Sequence, residues 1–134
     1  MRARFERWSL GPPADLTGVA GWENWVGVLH GTRTAVGTFQ ATIVRDEPAS
    51  IAYLVFTKFQ RRGFALEAMR AIVAHLHRDH GVQRIVAEMD ARNAASTATA
   101  QRLGLHEVTR MQVDDDRTGA QGIELRYEGP APPA

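Results

Sequence analysis

The sequence contains no cysteine. Disulfides, thiolate nucleophiles and cysteine-ligated zinc are therefore excluded, and the chain suits a reducing compartment. No apolar stretch approaches the roughly 20 residues that a membrane-spanning helix needs. The opening M-R-A-R-F-E-R-W is basic but lacks the apolar core of a signal peptide, so the cytoplasm is the expected location. Neither sign of charge dominates. Sixteen Lys and Arg against fifteen Asp and Glu give a net charge of +1, so no broad pull toward nucleic acid or membrane is implied. Neither G-x-G-x-x-G nor G-x-x-x-x-G-K-[ST] occurs, which removes two common nucleotide-binding loops. H-E-x-x-H is also missing, and His75 and His77 lack helical i,i+4 spacing. Asp114 to Asp116 lack the glycine and glutamate of a calcium loop and read as a solvated hairpin turn. No metal site is expected.

What remains is an ordinary globular composition, 44% hydrophobic and 23% charged over 134 residues, enough for one domain with a real core. Residues 1 to 21 read mostly as loop, broken by Pro12–Pro13, Gly18 and Gly21, with a short helix near Ala14–Val19. From Trp25, W-V-G-V-L-H and A-V-G-T-F-Q-A-T-I-V read as a hairpin around G-T-R-T. Ile51–Phe56 is nearly all apolar, as for a central strand buried on both faces. Leu66, Met69, Ile72, Val73 and Leu76 then form a helical stripe that stops at Gly81. Arg84–Met89 reads as a strand, and Ala94–Leu103 as a helix capped by Asn93 and ended by Gly104. His106–Val113 and Gly122–Tyr127 read as strands, and E-G-P-A-P-P-A as a disordered tail. The order β-β-β-α-β-α-β-β implies an α/β domain around a mixed sheet, with a parallel crossover over residues 51–89.

Ligands of such sheets bind beyond the carboxyl ends of the strands. At that place stands F-Q-R-R-G-F-A-L-E-A-M, residues 59–69, opening the first long helix. A helix start exposes unpaired N–H groups and the positive end of its dipole. Two arginines there are locally unfavourable unless an anion is bound, most simply a phosphate.

Gln60-Arg61-Arg62-Gly63-Phe64-Ala65 resembles the Q/R-x-x-G-x-G/A signature of GNAT acetyltransferases. The context strengthens it: an apolar strand before, an amphipathic helix after, then R-I-V-A-E-M-D-A-R-N-A-A-S and R-L-G-L, similar to the family's second motif. The resemblance covers roughly residues 25–128 and is closest to the branch that acetylates ribosomal-protein N-termini. It implies a GNAT fold, one acetyltransferase domain over 1–134 with its core at 25–128 and a tail at 129–134, and acetyl-CoA as co-substrate. It implies that Gln60, Arg61, Arg62, Gly63, Phe64 and Ala65 cradle the pyrophosphate. Leu54, Val55 and Phe56 would offer backbone groups to pantetheine. Asn93 would bind the pantetheine arm or cap the second helix, and Arg102 would lie near the nucleotide. Gly63 lets the backbone approach closely, and the N–H groups of 61–65 would form an anion nest.

Acetyl transfer to an amine needs a base, donors for the carbonyl oxygen and help for the leaving thiolate. Backbone N–H groups of Val55 or Phe56 would serve the carbonyl. Glu88, five residues before Asn93, is where the resemblance puts the base; a solvated strand carboxylate is the alternative, and Asp90 is the reserve. The family's usual tyrosine seven residues after the Asn is here Ala100. Ser96, three residues after it, is the substitute donor that a sub-branch carries. Trp22, Trp25, His30 and Tyr53 are candidates for the acceptor side.

The family carries a strand and one or two helices before the hairpin, whereas only 24 residues precede Trp25. The first strand is therefore expected to be absent or shrunken, leaving an edge that a second copy covers as a homodimer. The resulting expectation is an N-acetyltransferase acting on a small-molecule or peptide amine, without nucleic acid or membrane partners. The alternative is a non-catalytic acyl-CoA-binding module of the same fold.

Overall fold

The computed structural model describes residues 3–8, 19–114 and 119–131. The strands are β1 (Ala3–Trp8), β2 (Val19–Leu29), β3 (Ala35–Val44), β4 (Ala49–Val55), β5 (Arg84–Asp90), β6 (His106–Asp114) and β7 (Gln121–Pro130). The helices are α1 (Phe64–His80) and α2 (Ala94–Arg102). One seven-stranded sheet runs β1-β2-β3-β4-β5-β7-β6. Neighbours are antiparallel except β4 and β5, which are parallel as the crossover requires.

Alternation along each strand sorts the sheet into two faces. Phe39, Ala41, Ile51, Ile85, Ala87, Met89 and Leu125 join one buried cluster with Ala68, Met69, Ile72, Val73 and Leu76 of α1, Ala100 of α2 and Leu103 just after it. Each fully buried side chain of the α1 stripe is worth about 1.5–3 kcal/mol. Both helices therefore cover the same face. This corrects the reading of Ile51–Phe56 as buried on both sides: Ala49 and Ile51 are buried, but Ser50, Ala52 and Leu54 are exposed, Leu54 by 58%. An apolar run can mark a strand without telling how many layers cover it.

The helix ends follow the local chemistry. Gly81 is left-handed at φ 67 and caps α1 through its N–H to His77 O. Asn93 Oδ1 accepts from Ser96 N–H at 3.0 Å, as an N-cap does.

Three expectations fail at the chain ends. A first strand is present: β1 pairs with β2 from Ala3↔Leu29 to Trp8↔Asn24. From Asn24 to Leu29, β2 therefore has no vacant edge for a partner chain to cover. The loop expected through Gly21 is strand from Val19 onward; the rest of the short helix expected at 14–19 lies outside the described residues, as do residues 115 and 116 of the aspartate turn. The tail is ordered further than expected. β7 reaches Pro130, and Ala131 is buried with its N–H on Gln83 O at 2.8 Å. Pro130 sits at the strand's last position, where its missing donor costs no ladder bond.

Candidate active site

Strand β4 leaves β5 early. Pairing covers only Ala49↔Ile85, Ser50↔Val86 and Ile51↔Ala87, so Tyr53–Val55 and Glu88–Asp90 diverge. Phe56 N–H is committed to Val36 O at 2.8 Å. Successive residues of a strand point their N–H groups to alternate sides, so Val55 and Tyr53 direct theirs away from β3, into the gap left by β5. Of the three residues expected to serve with backbone groups, Val55 is thus the one aimed into the gap. Phe56 is not, because its N–H already closes the β3 ladder, and it does not line the cavity that follows.

That gap opens into a cavity of about 350 Å³ between β4, the 59–66 segment and α2. Gln60, Arg61, Gly63, Phe64 and Ala65 form one wall. Asn93, Ser96 and Arg102 form the other, with Ala95, Ala98 and Thr99 between them. The structure therefore brings together nearly all of the expected cofactor residues. Arg62 is the exception in the loop; its guanidinium lies over the Phe59 ring, 5.8 Å from the centroid. Two arginines and no carboxylate line the cavity, a charge balance that selects an anion.

The loop turns through two residues of positive φ. Arg61 and Gly63 are left-handed, at φ 65 and φ 80; a non-glycine residue there is strained by about 1–3 kcal/mol, and such strain gathers at ligand sites. Gln60 fastens the loop to the strand, its side-chain Nε2 donating to Val55 O at 3.0 Å. Beneath, Phe59 and Phe64 pack edge to face with Val36, which seats the start of α1. The small residues A-A-S-T-A-T-A of α2 keep its cavity face low. That run was the overlooked sequence signal for this wall.

Tyr53 is placed differently from its expectation. It lines the same cavity, and its hydroxyl donates to Ser96 O at 2.8 Å, bridging β4 to α2. Burial pushes its phenol far above the ordinary value, so it stays protonated and keeps its O–H on Ser96 O. The acceptor assignment of Trp25 is also corrected. It is buried, in register with Phe39, and meets the His75 ring edge-on at 6.0 Å; its size serves the core. Trp22, on the opposite face parity, is half-buried, and His30 is exposed in the turn after β2; neither lines the cavity.

Glu88 is the first residue of β5 beyond the last β4 pair, and it faces away from the helices with Arg84 and Asp90. Arg126, its register partner on β7, donates to Glu88 Oε1 at 3.4 Å. Glu124 lies nearby, its carboxyl raised by a hydrogen bond with Glu88, then by desolvation and charge. Asp90 is bound by the Arg92 side chain and backbone, which lower its carboxyl to about 2. So weak a base does not suit the reserve role; Asp90 instead shapes the turn into α2. The carboxylates thus stand on the open face, at the point where the strands part.

Residues 2–106 match the family model described as Acetyltransferase (GNAT) domain. The chain belongs to the GNAT family. No curated protein matches the sequence. Solved GNAT structures share the fold. One is an acetyltransferase of the family from Bacillus anthracis, with TM-score 0.72 and 18% identity, covering 81% of this chain and 66% of that one. Another is ribosomal-protein-S5-alanine acetyltransferase from Vibrio fischeri, at 0.74 and 18%, covering 82% and 62%. A third is RimJ from Mycobacterium smegmatis in complex with CoA-disulfide, at 0.71 and 23%, covering 82% and 53%. The chain spans between about half and two-thirds of the length of these three proteins. At such identities the likeness is one of fold. In this GNAT chain Ala100 is fully buried in the core, and the phenol in the cavity is that of Tyr53, from β4. Among the described residues no helix is long and apolar enough to cross a membrane.

Proposed function

We propose that this chain transfers an acetyl group from acetyl-CoA to a primary amine. The cavity carries the reading: strand backbone directed into a splay, a left-handed loop at a helix start, and two arginines without a carboxylate. Its volume lies within the usual 300–1,000 Å³ of ligand pockets. A Cβ built on Gly63 meets nothing within 4 Å, so the loop leaves room for a phosphate beside it.

Bound acetyl-CoA supplies a thioester open to attack by an amine. Arg61, Arg102 and the N–H groups of 61–65 would offset the phosphate charge. Asn93 spends its carbonyl oxygen on the helix cap, which leaves its NH2 for the pantetheine amides. Val55 N–H would receive charge on the carbonyl oxygen. Ser96 would supply a hydroxyl to the sulfur end, and Tyr53, whose O–H is held by Ser96 O, would position α2 there. Glu88 would take the amine's proton from the open face. A peptide with a free N-terminal amine is the first acceptor to screen, because the Vibrio fischeri fold neighbour is named for ribosomal-protein acetylation.

Calorimetric titration with acetyl-CoA tests the site. Gly63→Ala and Gly63→Glu share the left-handed backbone penalty, about 1–2 kcal/mol. Only the second adds a negative charge, so it should bind at least about tenfold more weakly than the first, a difference of roughly 1.4 kcal/mol. Equal affinities would overturn the phosphate assignment. Glu88→Gln should keep the affinity and lose about 10²–10⁴ in turnover. Acetyl-CoA binding with no amine acetylated by the wild type would make the chain an acyl-CoA-binding module. Light scattering at micromolar concentration decides whether it works as a homodimer.

A further inference from the structure

A second cluster of chemistry-bearing groups lies at the other end of α1. The helix has 17 residues, so His75 and His80 lie roughly 17 and 24 Å along it from the anion loop. None of the cluster's residues lines the cavity. Glu23 of β2 is 3% exposed and faces the helices beside Ala41. Its Oε2 lies 2.9 Å from His75 Nε2, and its Oε1 lies 2.9 Å from His80 Nε2. The two imidazoles meet edge to face, 5.3 Å between centroids.

The other nitrogen of His75 decides what this arrangement needs. Asp79 Oδ2 stands 2.6 Å from His75 Nδ1. An ionised carboxylate can only accept, so Nδ1 carries the proton. The Nε2 lone pair then points at a Glu23 oxygen. Two electron-rich atoms stay in contact only with a proton or a metal ion between them. A carboxylate holding the far N–H of a histidine is also the arrangement that orients imidazole ligands toward metals.

We propose that Glu23, His75 and His80 form a site for a divalent transition metal of zinc's chemistry, pinning β2 to the last turn of α1. The three donor atoms lie within 4.8 Å of one another, so small rotations bring them to the 2.0–2.2 Å bond lengths of zinc–imidazole and zinc–carboxylate coordination. Two imidazoles and one carboxylate suit zinc, and the side-chain exposure of 26% at His75 and 32% at His80 leaves a direction open for a water ligand. The negative end of the α1 dipole favours a cation there. Trp25, edge-on to His75, restrains that ring. The absence of an i,i+4 histidine pair did not exclude the site. His75 and His80 meet at a helix end, and their carboxylate comes from a strand 52 residues away in sequence from His75.

The test is calorimetric titration of the untagged, EDTA-stripped full chain with Zn2+, read together with the thermal midpoint. The expected result is saturable uptake of one equivalent with a raised midpoint. His80→Gln should weaken uptake at least about tenfold while circular dichroism stays native; Asp79→Asn should weaken it by roughly 10–100-fold. His106→Gln, on the exposed β6, should leave it unchanged. Lack of saturable uptake, or uptake as tight in His80→Gln and His75→Gln as in the wild type, overturns the proposal and leaves a shared proton between Glu23 and the ring.

Discussion

Gly37 has no side chain to lose, yet its replacement by alanine should be among the costly single changes in this sheet. A Cβ at that position would stand 2.2 Å from Leu54 O, 3.0 Å from Val55 Cα and 3.2 Å from Leu54 C. All three are backbone atoms, so no rotamer change relieves the contact. Strands β3 and β4 must part by about an ångström where Gly37 pairs with Val55. That strains the adjoining bond from Phe56 N–H to Val36 O, 2.8 Å in the wild type. Overpacking of this kind costs about 1–3 kcal/mol, and a weakened hydrogen bond adds about 0.5–1. A domain of this size should lose roughly 4–12 °C in thermal midpoint. Because Leu54 and Val55 also line the cavity, acetyl-CoA affinity should fall with it. Gly122→Ala is the control. Its Cβ would meet Asp90 Oδ2 at 3.6 Å, an ordinary contact, and its φ is not left-handed, so it should stay within about 0.5 kcal/mol of wild type. Scanning calorimetry on both variants reads the difference. Equal midpoints would refute the claim that close approach of β3 to β4 sets the cavity wall.

Two further outcomes follow from the side chains around the splay. Tyr53→Phe removes the hydroxyl that ties β4 to Ser96 O; it should cost about 0.5–1.5 kcal/mol and loosen acetyl-CoA binding, and an unchanged midpoint in thermal unfolding would argue against that tie. Glu124 has a carboxyl raised in the folded state, chiefly by its hydrogen bond with Glu88, so its contribution is favourable at low pH and is lost as pH rises through the folded value. Glu124→Gln should therefore gain stability relative to wild type at pH 7 compared with pH 4; midpoints measured at both pH values test this, and a relative gain that is larger at pH 4 would reverse the reasoning.

The local chemistry of this chain was legible in its residues. Periodicity placed α1, the glycines at 63 and 81 placed its ends, and Asn93 announced α2 because a cap acts through neighbouring backbone. The anion loop was legible too: arginines at a helix start conflict with the dipole and ask for a counter-charge. What the sequence could not contain was which faces are covered and which distant groups meet. The apolar run 51–56 gives no count of the layers above and below it. Trp25 looks like a substrate contact or a core residue equally well until its register with Phe39 decides. Tyr53 became a cavity residue only because β4 parts from β5 after Ile51, and Phe56 lost its assigned role because its N–H had closed the β3 ladder. The first strand was hidden because an edge strand needs a partner more than a pattern. Glu23 and the two histidines show the limit most plainly, for a strand carboxylate and a helix end become one site only when packing brings them within hydrogen-bond distance.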